Sequence, residues 1–137
     1  MKRYQVIEAN PTVAEFIALR KQAGWGEINI NIAQKSLENT LYCVCIRQSH
    51  ALLAMGRVVG DGAMYFYIQD VIVTPTHQGQ GLGHQIMLNI EAYLQSAAAQ
   101  GATIGLLAAK GKEPFYERYG YVSRPNTSLG NGMCKFA

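Results

Sequence analysis

The first apolar pattern of the chain predicts a strand followed by a helix. Residues 2–8 carry strand-forming side chains, and Asn10-Pro11-Thr12 then offers a helix start. The apolar residues that follow recur at spacings of three or four, as on one face of a helix: Val13, Phe16, Ile17 and Leu19. Gly24 is expected to end this helix, and a second, short helix is expected from about residue 33 to 39.

The middle of the chain has the composition of β-strands. Residues 41–47 and 51–59 are rich in strand formers and flank a polar, turn-like triplet, so they predict an antiparallel hairpin. A turn at residues 60–62 leads into a third strand, residues 64–74, which ends before Pro75 because proline cannot donate to a strand ladder. Three consecutive antiparallel strands are therefore expected.

The last third predicts a long helix, a strand and a short helix. Six apolar residues form one stripe of the long helix: Ile86, Met87, Ile90, Tyr93, Leu94 and Ala97. Residues 103–109 predict a buried strand, and a strand–helix–strand unit of this length normally forms a parallel crossover. A short helix over residues 112–120 and two terminal strands, 121–123 and 133–136, complete the pattern. It predicts an α/β (α+β) fold in a single domain, residues 1–137.

Composition limits the class of protein. A chain of 137 residues, 49% of them hydrophobic, can bury a core without a disulfide or metal. Cys43 and Cys45 alternate on a predicted strand and Cys134 is distant, so ordinary packing is favoured over a disulfide framework. The three histidines do not have the spacing of a zinc site. A formal charge of +3 without a long basic run argues against nucleic acid as a partner.

The sequence gives no sign of a membrane or secretory segment. No apolar run approaches the roughly 18 residues that span a bilayer. The N-terminus carries two positive charges but no apolar signal-peptide core. We therefore expect a cytoplasmic protein without a membrane partner.

Candidate chemistry centres on Gly79, Gly81 and Gly83, between the third predicted strand and the long helix. Glycines at a helix N-terminus let phosphate oxygens approach backbone N–H groups and the partial positive charge there. Glycines at such a corner can equally serve only to supply positive φ. Gly83 is followed by His84 and Gln85, which excludes a P-loop, and the spacing does not fit the dinucleotide fingerprint. ATP and NAD are therefore disfavoured.

The remaining pattern, Gln78-x-x-Gly81-x-Gly83 after "QDVIVTP", resembles the acyl-CoA-binding motif of the GNAT acetyltransferases, Gln/Arg-x-x-Gly-x-Gly/Ala. Residues 115–121, "FYERYGY", resemble the Phe-Tyr-x-x-x-Gly-Phe segment of that family, with one aromatic exchange. The segments "AGWGE" and "MGRVVGDG" look like those of small bacterial members. The resemblance implies the GNAT fold, with a mixed, mostly antiparallel sheet flanked by about four helices, and acetyl transfer from acetyl-CoA without a metal.

The resemblance also implies a donor site. In the family, the backbone of the strand before the turn pairs with the pantetheine arm and one of its N–H groups polarises the thioester; Val71, Ile72 and Val73 match that strand. The pyrophosphate would lie against the turn and the start of the helix: Gln78, Gly79, Gln80, Gly81, Leu82, Gly83 and His84. Tyr116 aligns with the general acid that protonates the departing CoA sulfur. Its alternative role is packing beside Phe115 and Tyr119.

The general base is left open. Asp70 lies in an otherwise apolar strand, where a carboxylate is costly unless it is hydrogen-bonded or functional. It is a candidate base, acting directly or through water, and its alternative role is a hydrogen bond that anchors a loop. Glu27 and a chain of waters are the rival candidates. Trp25, in a glycine-flanked loop, is expected either to cover the acceptor pocket or to pack in the core.

The acceptor is expected to be a primary amine of a small molecule, because no acidic or extended peptide-binding feature is evident. A protein N-terminus or a lysine is the alternative acceptor. A different class is an acyl-CoA-binding sensor without turnover, which would not need a reactive Tyr116. The resemblance also suggests a homodimer.

Overall fold

The computed structural model describes residues 3–137. They form two compact units, the first ending at Gly105 and the second comprising Leu106–Ala137. The prediction of a single domain therefore stays a prediction. In chain order the elements are β1 (Gln5–Ile7), α1 (Val13–Gln22), α2 (Ile30–Glu38), β2 (Tyr42–Gln48), β3 (Ala51–Gly60), β4 (Tyr65–Val73), a 3₁₀ turn (Pro75–His77), α3 (Leu82–Ala97), β5 (Thr103–Leu106) and α4 (Glu113–Glu117).

The strands form one sheet in the order β1-β2-β3-β4-β5. The first three neighbouring pairs are antiparallel, as in the pairing of Cys45 with Met55 between β2 and β3. Thr103 N donates to Met64 O at 2.8 Å, so β4 and β5 start at the same edge of the sheet, as parallel strands do. The predicted mixed, mostly antiparallel sheet is confirmed.

Helix α1 begins where the sequence indicated. The Thr12 hydroxyl accepts a hydrogen bond from Glu15 N at 3.2 Å, and the Glu15 carboxylate accepts one from Thr12 N at 3.0 Å. This capping box occupies two backbone donors that the helix start would otherwise leave unpaired. The second helix begins at Ile30, earlier than predicted, because the Asn29 side chain accepts from Asn31 N at 2.8 Å and caps the helix there.

Helices cover both faces of the sheet. One face packs against α1 and α2 around a set of buried apolar residues: Phe16, Leu19, Ala33, Leu37, Cys43, Cys45, Met55 and Ile72. The predicted packing role of Cys43 and Cys45 is thus confirmed. Helix α3 packs on β2, β3 and β4 through its own buried stripe, which includes Ile86, Met87, Ile90 and Leu94.

Gly56 lets α3 approach strand β3 closely. A β-carbon at this position would lie 2.5 Å from Ile86 Cγ2 and 2.9 Å from Ile90 Cδ1, and both isoleucines are fully buried. Because Ile86 and Ile90 have no space to move aside, only glycine fits between the strand and the helix. The contact fixes α3, and therefore its N-terminus, against the strand pair that carries Asp70.

The second unit departs from the prediction after α4. Residues 121–123 and 133–136, predicted as terminal strands, form no strand. The Asn126 side chain accepts from Ser128 N and Leu129 N at 3.0 Å, and Arg124 Nε donates to Gly130 O at 2.6 Å. These hydrogen bonds order the loop between the two segments, while residues 121–123 and 133–136 themselves take part in no strand.

The helices can be compared with the requirements of a membrane-spanning segment. Within residues 3–137, no helix combines the length and the apolar character that crossing a bilayer requires.

Candidate active site

Strand β4 contains a β-bulge at Asp70. Met55 pairs with Ile72, and Arg57 pairs with Gln69. Two residues along β3 therefore lie opposite three residues along β4, so β4 has one extra residue here. Asp70 adopts a left-handed backbone conformation, with φ of 58°. A bulge of this kind adds one residue to the strand and increases its local twist. The strand is therefore redirected directly before residues 71–73, which were predicted to bind pantetheine.

Two guanidinium groups hold the carboxylate at this bulge. Arg57 Nε lies 2.9 Å from Asp70 Oδ2, and Arg20 Nη1 lies 2.9 Å from Asp70 Oδ1. Asp70 is only 2% exposed and Arg57 only 4%. Arg57 also donates to Ser36 O, Ser36 Oγ and Thr40 Oγ1 at 3.1, 2.9 and 2.8 Å. We call Arg20, Asp70 and Arg57 the Asp70 cluster.

The end of β4 extends past its parallel neighbour. β4 has nine residues and β5 only four, and the two strands start together. β5 can therefore flank only the first part of β4, whereas the bulge and residues 71–73 lie in the last part. Ile72 points into the core with 4% exposure, and Val71 and Val73 are half-buried.

A glycine turn connects β4 to α3. Gln78 Nε2 donates to Val73 O at 3.2 Å and holds the turn against the strand end. Gly79 and Gly81 have φ of 77° and 83°, and a β-carbon on either would meet no heavy atom within 4 Å. Packing thus does not require these glycines. Positive φ favours them, and both residues are exposed and carry no side chain.

Helix α3 starts at this turn with Gly81 as its N-cap. Its hydrogen-bonding ladder begins with Gln85 N donating to Gly81 O at 3.1 Å. A helix of 16 residues places a partial positive charge at this end, where it favours an anion. Leu82, Gly83 and His84 occupy the first turn.

Tyr4 contacts the glycine turn, which the sequence did not indicate. Its hydroxyl donates to Gln80 Oε1 at 2.7 Å, across 76 residues of chain. Gln80 was predicted to lie at the pyrophosphate site, and the contact orients its side chain. Nothing in the local pattern around Tyr4 signals it.

Trp25 and Glu27 lie in the loop after α1. The Trp25 ring is 38% exposed, and Arg20 stacks on it with its guanidinium carbon 5.4 Å from the ring centroid. Glu27 pairs with Lys21 at 3.4 Å, but its side chain is 82% exposed. The structure thus joins Trp25 to the Asp70 cluster through Arg20, whereas Glu27 points to solvent.

Tyr116 belongs to the second unit, on α4. It packs edge-on against Phe115, with ring centroids 5.0 Å apart, and Phe115 packs in the same way against Tyr119 at 5.5 Å. Tyr116 is half-buried. The packing role that the sequence allowed is therefore compatible with the aromatic contacts, and its acid role stays a prediction.

A model of the acetyltransferase (GNAT) domain matches residues 19–136. The chain belongs to the GNAT acetyltransferase family. The match spans the Asp70 bulge, the glycine turn and the Tyr116 segment, although it begins after most of α1. The resemblance noted from the two sequence motifs is confirmed.

Individual GNAT proteins resemble the chain over most of its length. A probable acetyltransferase of meticillin-resistant Staphylococcus aureus, of unknown function, shares 30% identity, with 98% of this chain and all of the other covered and a TM-score of 0.88. An uncharacterized N-acetyltransferase of Prochlorococcus marinus, described as ycf52-like, is 29% identical over 81% of this chain. This chain covers 63% of that relative's length.

A solved aminoglycoside N-acetyltransferase in complex with CoA shares the GNAT fold. Its TM-score is 0.68 with coverage of 98% of this chain and 97% of the other, at 11% identity. At this identity the likeness concerns the fold alone.

Most residues predicted for the donor site lie on one continuous segment, from the bulge of β4 to the first turn of α3. Arg20 and Arg57 were not predicted as part of it. The sequence did contain a signal for Arg57. An arginine in the apolar strand β3 and an aspartate in the apolar strand β4 carry opposite charges, and buried charges are normally paired. Arg20 lies in α1 near its C-terminal end, where a basic residue is unremarkable.

Proposed function

We propose that this GNAT protein transfers the acetyl group of acetyl-CoA directly to a primary amine of a small molecule. The observation that supports this most is the continuity of a bulged strand, a turn with open glycine backbone and a helix N-terminus. Together they would offer backbone donors to a thioester and to a pyrophosphate along one continuous segment of the chain.

The residues of the turn fit the donor. A pyrophosphate needs backbone N–H groups that side chains do not cover, and Gly79 and Gly81 fit that need because both are exposed and have open space where a side chain would start. The predicted binding set is the turn and first helical residues already named, 78–84. Gln78 stabilises the turn through Val73 O, so its role is to shape the site.

Residues 71–73 would bind the pantetheine arm as an added strand. Because β5 is too short to flank this part of β4, the backbone groups of the segment that face away from β3 can serve a ligand. One N–H of this segment would donate to the thioester oxygen and stabilise the negative charge that develops there when the amine attacks. This contribution depends on where the backbone of residues 71–73 lies, and the Asp70 cluster holds the residue directly before them.

Tyr116 would protonate the CoA sulfur as it leaves. For the amine proton we favour the chain of waters among the alternatives that the sequence left open. Both carboxylate oxygens of Asp70 already accept hydrogen bonds from guanidinium groups, and Glu27 is exposed. The role of Asp70 as the general base stays a prediction, and the pH dependence of kcat in Asp70→Asn tests it.

The cysteine positions favour direct transfer over an acetyl-cysteine intermediate. Cys43 and Cys45 are 5% and 1% exposed and pack in the core under α1 and α2. Cys134 lies outside both motifs, 13 residues after Tyr121. An amine acceptor that attacks the thioester itself needs no protein nucleophile.

Steady-state release of CoA thiol tests the proposal. Acetyl-CoA is supplied with a panel of polyamines, arylalkylamines, aminoglycosides and amino sugars, and with peptides that carry a free N-terminus or a lysine. Turnover with a small amine supports the proposal, and turnover restricted to peptides supports the protein acceptor. Binding of acetyl-CoA without turnover across the panel would instead indicate a sensor. The cytoplasmic location and the homodimer stay predictions.

A further inference from the structure

We propose that Arg20 is a positioning residue for acetyl transfer: it holds the β4 bulge in the orientation that presents the backbone of residues 71–73 to the thioester. The proposal rests on the proposed function of that backbone. Arg20 itself is not expected to touch the acetyl group.

The contacts of Arg20 join three parts of the first unit. Its guanidinium pairs with Asp70 Oδ1 at 2.9 Å, stacks on Trp25 at 5.4 Å and lies 5.7 Å from the centroid of Phe16. Only 21% of its side chain is exposed. Arg20 thus connects α1 and the loop after it to the bulge on β4.

The backbone at Asp70 needs such support. A residue other than glycine with φ of 58° is in a sparsely populated conformation that surrounding contacts must maintain. Arg57 holds one carboxylate oxygen from the neighbouring strand, and Arg20 holds the other from α1. Contacts from two separate elements fix the direction of the side chain, and through it the peptide groups that follow Asp70.

Arg20 can be removed with less damage than its partners. The Asp70 cluster contains two positive charges and one negative, so without Arg20 a neutral Asp70–Arg57 pair remains. Removal of Asp70 would instead leave Arg57 buried without a counter-charge. Arg20→Gln is therefore the variant expected to fold while it loosens the bulge.

The expected effect is on the chemical step. A reacting group displaced by about 1 Å can cost about a hundredfold in rate. With one of two supports lost, we expect kcat for Arg20→Gln to fall about tenfold. The KM for acetyl-CoA should rise by less than kcat falls, at most about threefold, because the pyrophosphate would be held by the glycine turn, apart from the contacts of Arg20 with Asp70, Trp25 and Phe16.

Arg47→Gln is the matched control. Arg47 pairs with Glu15 at 2.6 Å and also joins α1 to the sheet, but at β2. It therefore reports the cost of losing an arginine–carboxylate link between helix α1 and the sheet. We expect Arg47→Gln to lower stability and leave kcat within about twofold. Equal falls in kcat for both variants would overturn the proposal, as would unchanged kcat in Arg20→Gln.

Amide hydrogen exchange separates this proposal from the proposed function. Arg20→Gln should exchange faster than wild type at residues 71–73, whereas Arg47→Gln should not. This measurement needs no acceptor. If no amine or peptide is acetylated, the proposed function fails while exchange still reports on the bulge. If the wild-type protein turns over but Arg20→Gln leaves the exchange at residues 71–73 unchanged, the positioning role alone is refuted.

Discussion

Arg57 Nε lies 2.9 Å from Asp70 Oδ2, and this buried ion pair joins β3 to β4 where the bulge redirects the strand. Both partners are nearly inaccessible to solvent. A buried pair of this kind costs desolvation when it forms, but loss of one partner leaves the other charge uncompensated. The intact pair therefore adds little net stability, whereas removal of either partner alone is costly.

Asp70→Asn is expected to lower the free energy of unfolding by about 3–5 kcal/mol, since the buried Arg57 loses its counter-charge. Arg20→Gln should cost clearly less because a neutral pair remains. Urea denaturation of the two variants and the wild type measures both values. Equal costs would show that the charge of Arg57 is compensated in another way.

The pH dependence of Asp70→Asn tests whether Asp70 is the general base. We expect kcat to fall while the acidic limb of its pH profile remains, because a water chain takes the amine proton. The profile is measured with saturating acetyl-CoA and acceptor. Disappearance of the limb in the variant would establish Asp70 as the base.

Tyr116→Phe is expected to lower kcat by about a hundredfold near neutral pH, because the departing thiolate loses its proton donor. The ring and its contact with Phe115 are retained, so affinity for CoA should not change. The control is Tyr119→Phe, which removes a hydroxyl from the neighbouring aromatic that also packs on Phe115. Near-normal turnover of Tyr116→Phe across the pH range would exclude the acid role.

Gly81→Trp is expected to weaken acetyl-CoA binding at least about tenfold, since a side chain would cover backbone that the pyrophosphate needs. Gly101→Trp is the matched control: Gly101 has φ of 93°, also borders open space, and follows the opposite end of α3. Both variants carry similar backbone strain. Isothermal titration with CoA measures the affinities, and similar losses in the two variants would attribute the effect to folding.

Gly56→Ala is expected to destabilise the protein by about 1–3 kcal/mol, because the added methyl group overlaps Ile86 and Ile90. Thermal and urea denaturation measure the loss. Gly105→Ala is the control, since a β-carbon at that strand position meets nothing within 4 Å. If the two substitutions had the same effect, α3 would have to lie farther from β3 than the structure shows.

The Glu15–Arg47 pair predicts a loss of stability in acid. The hydrogen bond from Arg47 is the main cause that lowers the pKa of Glu15 from 4.5 to about 2. A carboxyl with a lowered pKa stabilises the fold above its ordinary value, and the contribution disappears as the pH falls from about 4.5 to about 2. We expect roughly 1–2 kcal/mol, since solvent partly screens the pair.

Urea midpoints between pH 2 and pH 6 test this in wild type and in Arg47→Gln. The part of the pH dependence due to Glu15 should be smaller in the variant. An unchanged dependence would assign the acid sensitivity to other carboxylates.

Local pattern was enough for much of the fold. The β2–β3 hairpin, the stripe on α3 and the Thr12 cap follow from short-range periodicity and capping, and the structure confirms them. The terminal strands were predicted wrongly: residues 121–123 and 133–136 carry strand-forming side chains but form no strand, because strand propensity depends on a neighbouring strand to pair with.

The candidate site was predicted in the same uneven way. The glycine turn is contiguous in sequence, so its motif could be recognised. The contacts of Arg20 with Asp70 and of Tyr4 with Gln80 span 50 and 76 residues. No local rule links such distant positions.

The sequence by itself determined the family, the order of the central elements and the place of the glycine turn, because each is encoded in neighbouring residues. Only the tertiary structure decided the environment of Asp70. Burial between α1 and the sheet brings two arginines to one carboxylate, and that arrangement turns an isolated acidic residue in an apolar strand into the support of a backbone bulge.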